Sequence, residues 1–370
     1  MHKHNLNVSG GSDDVKYMAS GGFLGQEGTL KNSDRQQFNL RTNLDMKLSD
    51  KFTMRTNMAF IHNNYSEPNA SYGGGSSQFI WQANRIAPWV PYKKEDGSYG
   101  SISDGNPAAW IDINSRKYHL QQNFSGILAF DYQPIDGLTF TLQGAYVTNM
   151  QEDKDYRKEC WYDDTNYHGP DQLTETVTRW SRYTLDALAN YAKTFNEDHN
   201  LKVMAGYKIE KYDYRTLNAF RKDFPSSDIT DLNGGDSSTQ TNSGYSRELA
   251  LLSYFGRINY DYKGKYLLEA NFRADASSRF AKGYRWGYFP SFSAGWRLSE
   301  EGFMNNTRDW LQSLKLRASW GLLGNQDAVS DEYYPSLPTL YIGKNYPFGG
   351  TVHQGITVVS HKVPTITWEK

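Results

Sequence analysis

Apolar and polar residues alternate along most of this chain with a period of two. Between residues 257 and 275, Ile258, Tyr260, Tyr262, Tyr266, Leu268, Ala270, Phe272 and Ala274 occupy one parity. Arg257, Asn259, Asp261, Glu269, Asn271, Arg273 and Asp275 occupy the other. Such a run predicts two half-buried strands folded back at Lys263-Gly264-Lys265. If Tyr262 pairs with Tyr266, then Tyr260 falls beside Leu268 and Ile258 beside Ala270, with Gly264 free to take a positive φ. All the apolar side chains then share one face. A slip of one residue would mix them with the charges, so the pattern specifies its own register.

The same alternation recurs from end to end. Phe38, Leu40, Leu44, Met46 and Leu48 lead through a short turn to Phe52, Met54, Met58 and Phe60. Phe124, Leu128, Phe130 and Tyr132 lead to Leu138, Phe140, Leu142, Gly144 and Tyr146. Tyr183, Leu185, Ala187, Ala189 and Tyr191 precede Leu201, Val203, Ala205, Tyr207 and Ile209. Phe292, Ala294, Trp296 and Leu298 precede Leu314, Leu316, Ala318 and Trp320. With weaker runs near 4–10 and 15–24, the chain predicts about a dozen strands. Tight connections at 49–51, 133–137, 194–200 and 263–265 alternate with long ones at about 62–118, 148–180, 211–247 and from 323 onward. Short turns at one end and long loops at the other are the habit of a bacterial outer-membrane barrel. Tyr260, Tyr262 and Tyr266 then lie where an interfacial aromatic girdle belongs, with the apolar face toward lipid and Glu269, Arg273 and Asp275 toward a wet lumen. A large soluble β protein with the apolar face inside fits the alternation as well. The small residues on that face, among them Ala187, Ala189, Ala205, Ala270, Ala274 and Ala294, favour lipid, because they pack a two-sheet core poorly.

Composition narrows the choice. Tyr (27), Phe (18) and Trp (10) with 32 Gly suit strands and turns. The 40 basic and 41 acidic residues nearly cancel to a net charge of −1, which gives no nucleic-acid footprint and no polybasic anchor. Cys160 stands alone, which excludes an intrachain disulfide and a cysteine-based zinc site. The longest apolar runs, such as that at 249–255, fall far short of the roughly 18–20 residues of a spanning helix. The mean hydropathy of −0.74 agrees, and neither excludes a barrel, whose strands need about 9–11 alternating residues. The start of the chain shows no apolar signal-peptide region.

Several stretches resemble the SusC/RagA family of TonB-linked outer-membrane proteins of Bacteroidetes. They are RADASSRF (273–280), RWGYFPSFSAGWRLSEEGFM (285–304) and LKLRASWGLLGNQ (314–326), with PWVPYKKEDGSYG (88–100), the opening residues 4–50 and the closing VPTITWEK. The resemblance runs through the whole chain. It implies an all-β antiparallel transmembrane barrel, here a partial one, in the outer membrane of a Gram-negative cell. It also implies a nutrient importer, for oligosaccharides or peptides, working with a SusD-like surface lipoprotein and driven by TonB through a plug domain. Neither the plug region nor the strands that follow the WEK landmark in the family is expected within residues 1–370, which read as one barrel segment. A family barrel has about 22 strands, so this wall is roughly half of one. No cofactor and no covalent chemistry are expected. The alternatives are a soluble or surface glycan-binding β protein and a β-sandwich hydrolase.

Candidate chemistry is sparse. Arg285 and Trp286 could grip a sugar; alternatively Pro290 opens a strand and Tyr288, Phe289 and Trp296 join the girdle. His2 and His4 sit at strand spacing and could share a metal, without a third ligand nearby. Residues 228–238 suggest a calcium loop through Asp231 and Asn233, but Gly235 and Asn242 occupy ligand positions, and a plain external loop is expected. The glycines at 73–75 lack the Lys-Ser/Thr of a phosphate loop and any strand-to-helix context. No two carboxylates stand out as a glycosidase pair, and there is no G-x-S-x-G elbow. The long segments instead carry aromatics: Trp81, Trp89, Tyr92, Tyr99 and Trp110, then Trp161, Tyr162 and Tyr167. Of these, Trp81, Trp89, Trp110, Trp161 and Tyr162 are the candidate ligand contacts, since aromatic faces beside polar groups suit sugar rings or peptide side chains. Loop packing accounts for them equally well.

Overall fold

The structure, a computed structural model, describes residues 1–71, 73–100, 105–327, 333–358 and 362–369. The last residue of the closing VPTITWEK lies outside them. One antiparallel sheet of twelve strands dominates. Its first six are β1 (His2–Gly11), β2 (Val15–Glu27), β3 (Asp34–Ser49), β4 (Phe52–Pro68), β5 (Arg116–Ile135) and β6 (Leu138–Arg157). A small hairpin, β7 (Cys160–Trp161) with β8 (Tyr167–His168), stands apart in the next connection. The sheet resumes with β9 (Gln172–Phe195), β10 (His199–Lys222), β11 (Thr241–Tyr262), β12 (Tyr266–Ser277), β13 (Trp286–Arg297) and β14 (Lys315–Gly321). Strands neighbouring in this order are neighbours in space, and β1 and β14 form the edges of an open wall.

The register follows from the alternation. Tyr262 faces Tyr266, Tyr260 faces Leu268 and Ile258 faces Ala270. The turn between them takes φ values of 55° at Lys263 and 66° at Gly264. The apolar parity stays in phase across the sheet, from Leu6 and Val8 through Phe38, Leu40, Phe60, Leu128, Leu142 and Leu185 to Leu268, Phe292 and Trp320. These side chains are about half exposed and nothing among the described residues covers them. A soluble protein would bury such a face, because a contiguous apolar surface beyond a few hundred Å² is rare on a monomer. It is the lipid-facing surface of a transmembrane barrel.

The opposite parity carries a polar network. Arg55 donates to Asp131 at 2.7 and 3.1 Å, and Thr141 donates to the same carboxylate at 2.6 Å, joining β4, β5 and β6. Arg257 donates to Asn271 at 2.6 Å, and Arg273 joins Asp275 at 2.7 Å and Ser253 at 2.9 Å. Between 200 and 319 this inner face holds a groove of about 840 Å³ lined by Lys202, Asp261, Glu269, Lys315 and Arg317.

Two aromatic belts frame the apolar face. At the turn end Phe52 stacks on Tyr132 at 4.5 Å, Tyr262 on Tyr266 at 6.2 Å and Tyr266 on Trp296 at 6.2 Å. At the loop end Tyr146 meets Tyr183 at 4.9 Å, Tyr207 meets Tyr254 at 5.1 Å and Tyr254 stacks on Trp286 at 6.0 Å. Tyr183 and Tyr191, Tyr254 and Tyr262, and Tyr288 and Trp296 are each eight positions apart, or about 26 Å of strand. That matches the roughly 25 Å apolar band of an outer-membrane barrel.

Four details differ from the sequence reading. The strands are longer than the alternation: β9 and β10 each run 24 residues, more than twice the span of a membrane strand, so the long connections shrink to 69–115, 158–171 and 223–240. The connection 298–314 is a long one at the turn end, built of two 3₁₀ segments. Pro290 lies inside β13 rather than at its start. Its carbonyl accepts from Leu322 at 3.0 Å, so its missing N–H faces the side where β14 has just ended, and the ladder to β12 is unharmed. Phe289 is not in the girdle; it turns inward, 5.3 Å from the ring of Trp368.

Candidate functional site

The loop end carries a compact cap built from α1 (Gly75–Arg85), α2 (Pro107–Asp112) and the β7–β8 hairpin. Its core is Ala70, Phe79, Ala109, Trp110, Cys160 and Tyr162. Trp110 donates through Nε1 to the Tyr162 hydroxyl at 2.7 Å, and Phe79 meets the Trp110 ring edge-on at 5.3 Å. Gly105 makes this possible. Its φ is +83°, and a Cβ there would sit 2.1 Å from the Tyr162 hydroxyl. Asn106 caps α2 by accepting from the Ala108 N–H at 2.9 Å, and it donates to Gly100 O at 2.6 Å.

Inward-facing residues fasten the cap to the wall, so it leans over the inner side of the sheet. Asn69 donates to Asp155 at 2.6 Å, and the Ser76 N–H at the start of α1 donates to Glu67 at 2.9 Å. The triple glycine therefore does stand between a strand and a helix, contrary to the sequence reading. Glu67 already occupies the helix N-terminus, and no Lys-Ser/Thr follows.

The candidate aromatics separate into two groups. Trp110 and Tyr162 are 0% and 1% exposed and hold the cap together. Burial pushes the Tyr162 hydroxyl up to about 12 and the Cys160 thiol up to about 11, so neither ionises near neutrality. Trp89 is 83% exposed, and Trp81 and Trp161 are each 50% exposed. Trp161 stacks on Tyr167 at 4.2 Å and its Nε1 donates to Glu159. Arg85 lies 4.5 Å over Trp81.

Sequence reasoning did not foresee a polar patch beside them. Tyr99 and Tyr92 donate to Asp112 at 2.7 and 3.1 Å, and Lys93 lies 3.5 Å from the same carboxylate and 4.9 Å over the Tyr99 ring. The Tyr99 hydroxyl holds the Asp112 carboxyl below the usual carboxylate range. Tyr92, Lys93 and Tyr99 lie 13 to 20 positions from Asp112, beyond any local motif.

The other sequence candidates disperse. Trp286 stacks outward on Tyr254 and cannot share a sugar site with Arg285, which donates to Phe280 O at 3.1 Å. His2 and His4 stand 6.0 Å apart on the outward face, and no group of three metal-binding side chains occurs among the described residues. Residues 232–234 and 237–239 form short 3₁₀ turns of an exposed loop.

No family model matches the chain. TonB-dependent receptor P26 of Formosa agariphila is 27% identical over 390 residues, spanning 100% of this chain and 37% of that receptor. TonB-dependent receptor P39 of the same organism is 30% identical over 338 residues, 87% of this chain and 30% of the receptor. TonB-dependent receptor SusC of Bacteroides thetaiotaomicron is 28% identical over 382 residues, 95% of this chain and 36% of SusC. The chain thus spans about a third of the length of these relatives. Among solved structures, the RagAB peptide importer in its open-open state superposes with a TM-score of 0.80 at 21% identity, over 99% of this chain and 40% of that one. A ferripyoverdine receptor of Pseudomonas aeruginosa superposes at 0.52 with 11% identity, over 80% and 38%. Sequence likeness over nearly the whole chain and a shared wall of strands make this chain a barrel segment of the SusC/RagA kind of TonB-dependent receptor, a family of the Gram-negative outer membrane.

Proposed function

We propose that residues 1–370 serve as one wall segment of an importer for oligosaccharides or peptides, which admits cargo under a SusD-like surface lipoprotein and is driven by TonB through a plug in the lumen. The observation that carries this reading is the cap. It is fixed to the inner side of the wall by Asn69 and Glu67, and it presents Trp81, Trp89 and the Trp161–Tyr167 stack beside the Tyr92–Lys93–Tyr99–Asp112 patch. Exposed aromatic faces beside fixed hydrogen-bonding groups suit the apolar faces of sugar rings and the side chains of peptides. The RagAB peptide importer lends peptides as a cargo class, and the resemblance to the SusC/RagA family lends oligosaccharides and the surface-lipoprotein lid. The wall itself binds and guides; it performs no bond-making step.

The test uses the complete receptor with its lipoprotein partner and panels of oligosaccharides and oligopeptides. Trp89→Ala and Trp161→Ala should each weaken binding of the accepted cargo by about 1 kcal/mol or more while the cap stays folded. Unchanged binding in both single variants and in the triple variant with Trp81→Ala would remove these aromatics from the cargo path.

A further inference from the structure

Beyond the loop-end girdle the outward face of the wall changes character. In the register of β9 and β10, Arg179 stands directly opposite Arg215. Both lie on the parity of Tyr183, Leu185 and Ile209, four and six positions from those residues, so they point away from the lumen on strand that has left the apolar band. Opposed like charges on a sheet repel. Among the described residues neither arginine forms an ion pair. Two carboxylates of the same groove, Asp213 and Glu248, are already paired: Lys211 lies 3.0 Å from Asp213 and 3.6 Å from Glu248. Both arginines are exposed, and they line a groove of about 660 Å³ together with Ser181, Tyr183, Asp213, Leu217, Ser246 and Glu248. Arg179 also approaches the Tyr146 hydroxyl of the girdle, which ties the pair to the membrane boundary.

We infer that Arg179 and Arg215 form a binding site for the phosphorylated headgroup of an outer-leaflet lipid, the phosphate spanning the two guanidinium groups. The position selects the occupant. The site opens to the bilayer side of the wall, just above its aromatic belt, where lipid phosphates lie and where cargo bound for the lumen does not pass. A phosphate between the arginines converts mutual repulsion into charge-assisted, bidentate hydrogen bonds. The acyl chains below it continue along Leu185, Ile209 and Leu252 on the same face. The site depends on the outward orientation of this face and not on the identity of the cargo.

The experiment uses the complete receptor, released from membranes in mild detergent and checked for folding by heat-modifiable gel migration. Native mass spectrometry then counts retained lipid as purified lipid A is titrated. Wild type should retain lipid A, and Arg179→Gln with Arg215→Gln should lower its affinity by about tenfold or more. Arg182→Gln, whose side chain faces inward beside Glu210, should leave it unchanged. Dephosphorylated lipid A should bind the wild type as weakly as phosphorylated lipid A binds the double variant. The proposal is overturned if the folded double variant retains lipid A like wild type. It is also overturned if dephosphorylated lipid A binds equally, or if inorganic phosphate alone displaces nothing from the arginines while lipid A binds elsewhere. Cargo uptake that survives in the double variant leaves the import reading intact, so the two readings fail separately.

Discussion

At the scale of single residues, depth decides what a charge costs. Tyr262, Tyr266 and Trp296 mark the inner belt, and Tyr254, paired with Ala274 and Tyr288, marks the outer one. The midplane therefore runs through Ile258, Ala270 and Phe292. Ile258→Arg should destabilise the folded receptor by about 2–4 kcal/mol, whereas Leu268→Arg, one pair nearer the belt, should cost less. Ser293→Arg on the inner face stands opposite Glu269 and should be nearly neutral. Asn271 is a poorer inner-face control than its parity suggests, because it accepts from Arg257 and an arginine there would meet a like charge. Unfolding of the reconstituted receptor in denaturant measures the series. Equal costs at 258 and 293 would show that the two faces are not lipid and lumen.

At the scale of elements, the connection 298–314 is tied to the lipid-side belt by one residue. Tyr266 donates to Glu301 at 2.7 Å and Trp296 Nε1 at 3.0 Å, while Lys265 lies 3.4 Å away. The Tyr266 hydroxyl, with Trp296 and Lys265, lowers the Glu301 carboxyl below the ordinary range. A carboxyl lowered by folding stabilises above its unfolded value, and the contribution is lost as pH falls through the folded value. Protection from hydrogen exchange at 298–314, corrected for the intrinsic pH dependence of exchange, should therefore hold from neutrality down to the usual glutamate range and fall below it. Glu301→Gln should show the faster exchange already at neutrality, with no acid transition. A wild-type profile flat through the acid range would dismiss the clamp. This element was illegible in the sequence, because a side-chain bond across 35 positions leaves no local pattern. The membrane strands were legible for the opposite reason: lipid on one side and water on the other force a period of two, from Phe38 to Trp320. Above the bilayer both faces are wet, so β6 runs on through Gln151, Glu152, Asp153 and Lys154 to Arg157 without alternation, and its true end could not be read. The cap resisted for a third reason. Trp110 and Tyr162 look like Trp89 and Trp161 in composition and differ in whether Gly105 lets them pack together.

At the scale of the whole molecule, the sheet has two open edges. Among the described residues, β1 presents ten residues and β14 seven without a partner on their outer sides. In hydrocarbon each unsatisfied backbone group costs several kcal/mol, which is why spanning sheets close. In water the edges are satisfied, but the apolar face from Leu6 to Trp320 is then exposed over all twelve strands, far beyond what a soluble monomer tolerates. The inner face offers no escape, since Arg55–Asp131 and Arg273–Asp275 fill it with charge that two copies cannot bury against each other. Residues 1–370 alone should therefore fail to reach a monodisperse folded state in either solvent. Refolded into detergent micelles, they should aggregate through β1 and β14 and show no heat-modifiable band on a gel. The complete receptor treated identically should give a compact, protease-resistant band. Twelve strands are enough to close a smaller barrel if β14 can reach β1, so the comparison is a real contest between edge pairing within a copy and between copies. A protease-resistant monomer from these residues alone would mean that closure wins, and the wall would then be a barrel in its own right.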